Sequence, residues 1–169
     1  QMVTLTELVQ FMLPDLYIHL EKCDSSNLFF FFRMLLVWFK RELSFNETMQ
    51  LWEVLWTDLY SSQFILFVAL AILQKNSKII IGNLHSFEDI LKYTNDLNGN
   101  HDIGELLTRA ELLFIKFRQM VELIDRKNLS FTNMAPRESV PISENIRSLL
   151  SRDIIIAKEE QRTESTPFG

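Results

Sequence analysis

Hydrophobic residues recur with helical spacing along most of this 169-residue chain. The first such segment, residues 2–13, ends before Pro14, which lacks a backbone N–H and suits the first turn of a short helix to Lys22. Two later segments are apolar nearly all round: residues 28–39, with four consecutive phenylalanines, and the ten residues 64–73. Because helices of that kind are central in an all-α domain, both are predicted to be core helices.

Three pairs of residues have the spacing of helix caps, in which a side-chain oxygen accepts a hydrogen bond from a backbone N–H three positions later. They are Ser44 with Glu47, Ser86 with Asp89, and Asp102 with Glu105. The third begins the longest predicted helix, to about Lys127, whose apolar stripe is Ile103, Leu106, Leu107, Ala110, Phe114, Phe117, Val121 and Ile124. The pattern predicts an all-α fold of about six or seven packed helices between Met2 and Lys127.

Two further expectations concern individual helices. The helix after Ser44 carries its large apolar side chains on one stripe, at Phe45, Met49, Trp52 and Trp56. Trp38, Trp52 and Phe67 are expected to be substantially buried. The helix that contains residues 64–73 is expected to fray at the polar segment 75–78.

The chain turns polar from Asn128 to Ile142, with Pro136 and Pro141, and this composition is typical of a linker. Ser143 is predicted to cap one last helix in the tail. The predicted organisation is therefore a helical unit over residues 1–127, a linker over 128–142, and a tail over 143–169 with a short helix.

Charge and cysteine content exclude several classes of function. A net charge of −5, with scattered Lys and Arg, disfavours a nucleic-acid partner. Cys23 is the only cysteine, so neither an internal disulfide nor a thiolate metal cage can form. Neither apolar block reaches the ~20 residues of a membrane-spanning helix, so no transmembrane segment is predicted. The chain is expected to be a fragment of something longer, because its first residue is Gln1 rather than Met and it opens directly on a helical pattern. The cytosol is the default compartment expected for it.

The sequence offers no convincing catalytic, cofactor or metal site. Its four glycines stand apart, so no phosphate-binding loop is formed. The segment 96–107 imitates a calcium loop, but His101 and Leu107 replace the glycine and the bidentate glutamate that such a loop needs. The three histidines (His19, His85 and His101) share no ligand spacing, and Cys23 is expected to be a passive thiol at a helix end. No catalytic, cofactor-binding or metal-ligating residue is therefore predicted.

Arg33, inside the phenylalanine helix, has two interpretations. A guanidinium on so apolar a helix must extend to solvent or bind carboxylates or carbonyl oxygens. A catalytic arginine would have to protrude into a partner's site, which burial among phenylalanines disfavours. Arg33 is therefore expected to be structural.

Five segments occur in one order and at consistent spacing: "PDLYIHL", "NLFFFFRMLLVWFKREL", "LWEVLWTDL", "FILFVALAIL" and "ILKYTNDL…ELLTRAELL". From Thr6 to Lys127 this series resembles the C-terminal half of a TBC domain, the GTPase-activating module for Rab (Ypt) small GTPases. It is most similar to the subgroup acting on late-endosomal and vacuolar Rabs. One departure is Met34, where family members usually carry Trp. Because Met fills irregular apolar space, local repacking is expected.

The resemblance implies part of a GTPase-activating protein in vesicle transport, whose partners are a Rab and the N-terminal half of its own TBC domain. It implies a cytoplasmic protein peripherally associated with endosomal or vacuolar membranes. TBC domains supply an arginine from an I-x-x-D-x-x-R motif and a glutamine from Y-x-Q. Neither motif occurs in this chain, which is expected to begin after them and to be inactive alone. The alternative is a non-catalytic TBC-like scaffold that binds a small GTPase or a partner helix. An interfacial membrane protein is disfavoured, because the apolar blocks lack a basic flanking face.

Overall fold

The computed structural model describes residues 2–36, 43–56, 63–97, 102–131 and 142–150. Within these ranges every regular element is helical, as the all-α prediction required. The helices are α1 (Met2–Met12), α2 (Pro14–Lys22), α3 (Phe29–Leu36), α4 (Phe45–Trp56), α5 (Phe64–Asn83), α6 (Phe87–Asp96), α7 (Ile103–Phe131) and α8 (Glu144–Arg147), followed by a 3-10 turn (Ser148–Leu150).

The centre of the domain is formed by α5 and α7, which pack antiparallel. Phe67 of α5 contacts Phe114 of α7 edge to face, with ring centroids 5.2 Å apart, while Lys75 further along α5 pairs with Glu105 near the start of α7. All ten residues of the apolar block 64–73 are buried. Because these side chains leave α5 in every direction, the helix must be surrounded, and α1, α2, α3 and α7 all contact it.

The predicted caps are confirmed in α4, α6 and α8. Ser44 and Glu47 form a reciprocal capping box: the Ser44 N–H donates to Glu47 Oε2 at 2.8 Å, and the Glu47 N–H donates to Ser44 Oγ at 3.4 Å. Ser86 Oγ accepts from the N–H of Asp89, and Ser143 Oγ accepts from the N–H of Ile146. Asp102 likewise accepts from the first N–H groups of α7. Each cap satisfies a backbone donor that the helix itself cannot.

Two predicted helix ends were wrong. The helix through the block 64–73 does not fray at residues 75–78 but continues to Asn83, because Asn76 and Ile80 lie on its buried face. Asn76 is satisfied there, since it donates to the carbonyl of Ile72 and accepts from the Tyr93 hydroxyl. The last long helix, α7, reaches Phe131, four residues into the segment predicted to be a linker.

The apolar block 64–73 is too short to span a membrane, but the helix that contains it, α5, has 20 residues. By length and composition alone, α5 is the one helix among the described residues that could cross a bilayer, although 67% of its most apolar window is buried against the rest of the chain. Its apolar character is therefore that of a core helix, and the evidence for this is its burial rather than a short apolar run.

The tail segment packs back onto the helical unit. Ile146 and Leu149 are buried. Arg147 binds both carboxylate oxygens of Asp125 on α7, at 2.9 and 3.1 Å, and the Ser143 hydroxyl donates to Glu7 on α1 at 2.7 Å. Residues 142–150 therefore contact both α1, the first helix, and α7, the last long helix.

Candidate functional site

One side of the phenylalanine-rich helix α3 is buried in the core. Phe30, Phe31 and Leu35 are buried, whereas Phe29 is largely exposed. Arg33 lies in this helix, but its side chain falls outside what the structure describes. The structural role of Arg33 therefore stays a prediction, as does the burial of Trp38, which lies outside the described residues.

His19 and Cys23 lie together beside the turn that follows α5. His19 Nε2 is 2.6 Å from the carbonyl oxygen of Leu84, and because a carbonyl only accepts, Nε2 carries the proton. The Cys23 sulfur is 3.6 Å from that same nitrogen, which then has no free lone pair to take the thiol proton. Burial, and secondarily the charge of Asp24, raise the pKa of the Cys23 thiol. This pair therefore ties α2 to the turn and is not an activated thiol.

The structure brings one further candidate metal ligand, His85, next to this pair. The His85 ring lies edge to face with His19, at 5.6 Å between centroids, while His101 lies outside the described residues. Residues 98–101 of the imitation calcium loop lie outside the described residues. Asp102 Oδ1 accepts from the N–H groups of Gly104 and Glu105, as a helix cap does. Across the described ranges, no group of three potential ligands could hold a metal ion.

Among the described residues, two strongly exposed aromatic side chains lie on α4, on a stripe that we call the α4 aromatic face: Phe45, Met49, Trp52 and Trp56. Phe45 is 79% exposed and Trp56 is 62% exposed. Trp52, which was expected to be substantially buried, is half-buried, with its ring 5.9 Å from that of Trp56. The apolar stripe recognised in the sequence therefore points largely to solvent, and exposed aromatic patches of this kind are typical of surfaces that bind another protein.

The adjacent side of α4 explains this orientation. Thr48 and Leu51 are buried, and Leu55 packs against the core. The Thr48 hydroxyl donates to the carbonyl of Ser44 at 2.8 Å, so this polar side chain can be buried at little cost. The sizes of the α4 side chains alone do not predict which side of the helix is buried.

The arrangement is that of an all-α unit with a dense core and an exposed aromatic face on α4. Comparison with known proteins identifies the family. Residues 1–81 match the Rab-GTPase-TBC domain family model. This part of the chain belongs to the TBC domain family, as the resemblance predicted.

Curated relatives extend the similarity across the chain. It is similar to "GTPase-activating protein GYP7" of Yarrowia lipolytica, 58% identical over 170 residues that cover 100% of this chain and 23% of the relative. The protein of the same name from Saccharomyces cerevisiae is 51% identical over 170 residues, 98% of this chain and 23% of the relative. "TBC1 domain family member 17" from Homo sapiens is 40% identical over 110 residues, 65% of this chain and 17% of the relative. The chain thus spans about a quarter of the length of the first relatives.

Proposed function

We propose that this chain is part of a GTPase-activating protein that stimulates GTP hydrolysis by Rab (Ypt) small GTPases in vesicle transport. The observation that carries the proposal is 58% and 51% identity, over essentially the whole chain, to proteins named GTPase-activating protein. The match of residues 1–81 to the TBC domain agrees with it.

In this proposal the chain is not an enzyme but a part of an enzyme activator. Phosphoryl transfer in a GTPase is accelerated by positioned charge, to which an arginine supplied by the activator contributes about 10³–10⁵ in rate. The I-x-x-D-x-x-R and Y-x-Q motifs that supply the arginine and glutamine are not in this sequence. Among the described arginines, Arg109 is held by Glu105 and Gln74, and Arg118 lies over the ring of Phe114. Because the chain lacks both motifs, it should be inactive alone.

A second partner in the proposal is the N-terminal half of the same TBC domain. The α4 aromatic face supports this, because Phe45 and Trp56 are more exposed than large aromatic side chains usually are on a monomer. Residues 1–169 purified alone are therefore expected to self-associate, which sedimentation velocity measures. A well-folded, monodisperse monomer would contradict the half-domain proposal and leave the activator function standing.

The location of the parent protein is proposed to be the cytoplasm, with peripheral association to endosomal or vacuolar membranes. This part of the proposal rests on the resemblance to the subgroup that acts on late-endosomal and vacuolar Rabs. Fluorescent tagging of the parent, with an endosomal and a vacuolar marker, tests it.

The function itself is tested with the full-length parent and a panel of GTP-loaded Rabs. The arginine of the parent's I-x-x-D-x-x-R motif is changed to alanine, and Arg118→Ala serves as a matched control on α7. The parent should accelerate hydrolysis by at least one Rab, the first variant should lose about 10³-fold or more, and Arg118→Ala should keep the parental rate. A parent that binds GTP-loaded Rab without accelerating hydrolysis would instead support the non-catalytic scaffold.

A further inference from the structure

A groove of about 520 Å³ runs along α7, with α5 at its side. We call it the α7 groove. It is lined by Gln74, Gly104, Glu105, Thr108, Arg109, Leu112, Leu113 and Lys116. Its volume is within the range of pockets that bind ligands, about 300–1,000 Å³.

The middle of the α7 groove is apolar. Leu113 is buried beneath it, while the neighbouring Leu112 is 62% exposed. A single exposed leucine is unremarkable on its own. Leu112 differs because it stands inside a concave surface, where another side chain could cover it on more than one side.

Cations flank this apolar centre on both sides. Arg109 precedes Leu112 by three positions and Lys116 follows it by four, so the two cations lie about one helical turn away in each direction, roughly 10 Å apart along the axis. Within the described residues, Lys116 forms no ion pair. The Arg109 guanidinium donates one hydrogen bond to Gln74 and one to Glu105, each at 3.3 Å, and these leave three of its five N–H donors.

The charge of the groove is opposite to that of the chain. Lys75 joins the two flanking cations at the groove edge through its ion pair with Glu105, at 3.3 Å. Among the residues that line the groove, Arg109 and Lys116 are cations and Glu105 is the one carboxylate, already paired with both Lys75 and Arg109, whereas the whole chain has a net charge of −5. An excess of positive charge around an exposed leucine complements an acidic and partly apolar occupant.

We propose that the α7 groove binds an acidic peptide segment in which one leucine-sized side chain is flanked by carboxylates about one helical turn before and after it. The apolar side chain covers Leu112, and the carboxylates pair with Arg109 and Lys116. A concave surface suits a peptide side chain better than the flat surface of an anionic membrane. Recognition by an amphipathic helix in a groove uses anchors with this spacing.

The probe is a short fluorescein-labelled helical peptide with one leucine, a glutamate three positions before it and a glutamate four positions after it. Fluorescence anisotropy measures its binding to the full-length parent protein. A second peptide carries glutamine in place of both glutamates. The acidic peptide should bind saturably, more weakly as salt rises, and the neutral peptide should bind about tenfold more weakly.

Two pairs of variants in the parent, numbered as in this chain, locate the site. Leu112→Ser should weaken binding about tenfold, while Leu123→Ser, 53% exposed further along α7 and outside the groove, should leave it within twofold. Lys116→Glu should weaken binding about fivefold to tenfold, whereas Lys92→Glu, an exposed lysine on α6 with the same change of charge, should not.

Three outcomes would overturn the proposal. Equal weakening by Lys116→Glu and Lys92→Glu would mean that the peptide responds to net charge rather than to the groove. Equal weakening by the two leucine variants would mean that Leu112 is not the anchor. Absence of saturable peptide binding, with or without binding of the parent to anionic vesicles, would exclude the acidic peptide as the occupant. Circular dichroism of each variant checks that its helices are intact.

Discussion

Replacement of Phe67 by alanine should be among the most destabilising changes to this domain. The ring is fully buried, where it lies edge to face with Phe114 at 5.2 Å and tilted against Phe117 at 5.5 Å. It also stacks with Phe64, at 6.3 Å between centroids. The substitution removes both the apolar contact and these ring interactions from the α5–α7 centre.

The expected cost is about 4–5 kcal/mol of unfolding free energy. Buried Phe→Ala changes cost about 3–5 kcal/mol, and aromatic pairs contribute about 0.5–1.5 kcal/mol beyond their buried area, so the upper part of that range applies. A domain with total stability of about 5–15 kcal/mol would lose a large fraction of it. Phe67→Leu, which fills part of the space, should cost less, about 1–2 kcal/mol.

The assay is urea unfolding of the parent's complete TBC domain, followed by tryptophan fluorescence, with hydrogen exchange of the α5 and α7 amides as a local measurement. Phe29→Ala is the matched control, because that ring is 63% exposed and lies outside the α4 aromatic face, and its loss should change stability by no more than about 0.5 kcal/mol. Equal losses for the two variants, or a loss below about 1.5 kcal/mol for Phe67→Ala, would refute the assignment of α5 and α7 as the centre.

Three further changes test local features. Ser44→Ala removes the Oγ that accepts from the Glu47 N–H, the side-chain half of the α4 capping box, and should lower stability by about 0.5–2 kcal/mol in the same urea assay, whereas an unchanged midpoint would show that this bond contributes nothing. The hydrogen bonds and charge of Arg147 lower the pKa of Asp125. The ionised carboxylate therefore stabilises the fold fully above its unfolded pKa of about 4. This contribution to stability is lost as the pH falls through the lower pKa of the folded state. Asp125→Asn should therefore lower the melting temperature at pH 7 and reduce the further loss on acidification to pH 3; identical pH profiles would contradict this. Arg33→Ala in the full-length parent should lower stability by about 2–4 kcal/mol if a buried partner is left unpaired, whereas a variant that kept its melting temperature and lost all activation would show that Arg33 acts on the GTPase.

The core could be predicted because its signals are local and redundant. The apolar block 64–73 has no polar face, so α5 had to be central, and the Ser44, Ser86 and Ser143 caps mark helix starts through hydrogen bonds that depend only on nearby residues. The antiparallel pairing of α5 with α7 could not be predicted from the sequence of either helix alone. It depends on contacts such as Phe67 with Phe114, which are distant in sequence.

Helix ends and exposed surfaces were harder to predict. The segment 75–78 is polar, yet α5 passes through it because Asn76 finds partners in Ile72 and Tyr93, and the sequence does not show that a buried amide will be satisfied. The α4 stripe was recognised, but its exposure depends on Thr48 and Leu51 packing into the core on the adjacent side of the helix. Leu112, at the centre of the α7 groove, lies outside the predicted apolar stripe of α7, and only the folded groove distinguishes it from any other exposed leucine.

The central claim is that this chain contributes structure to a Rab GTPase-activating protein whose catalytic side chains come from elsewhere in the parent. Single-turnover GTP hydrolysis by a GTP-loaded late-endosomal Rab tests it most directly, with the full-length parent and residues 1–169 assayed side by side. The parent should raise the rate by about 10³–10⁵, and residues 1–169 should leave it at the intrinsic value. Acceleration by residues 1–169 alone, or a parent that is inactive on every Rab tested, would contradict the account.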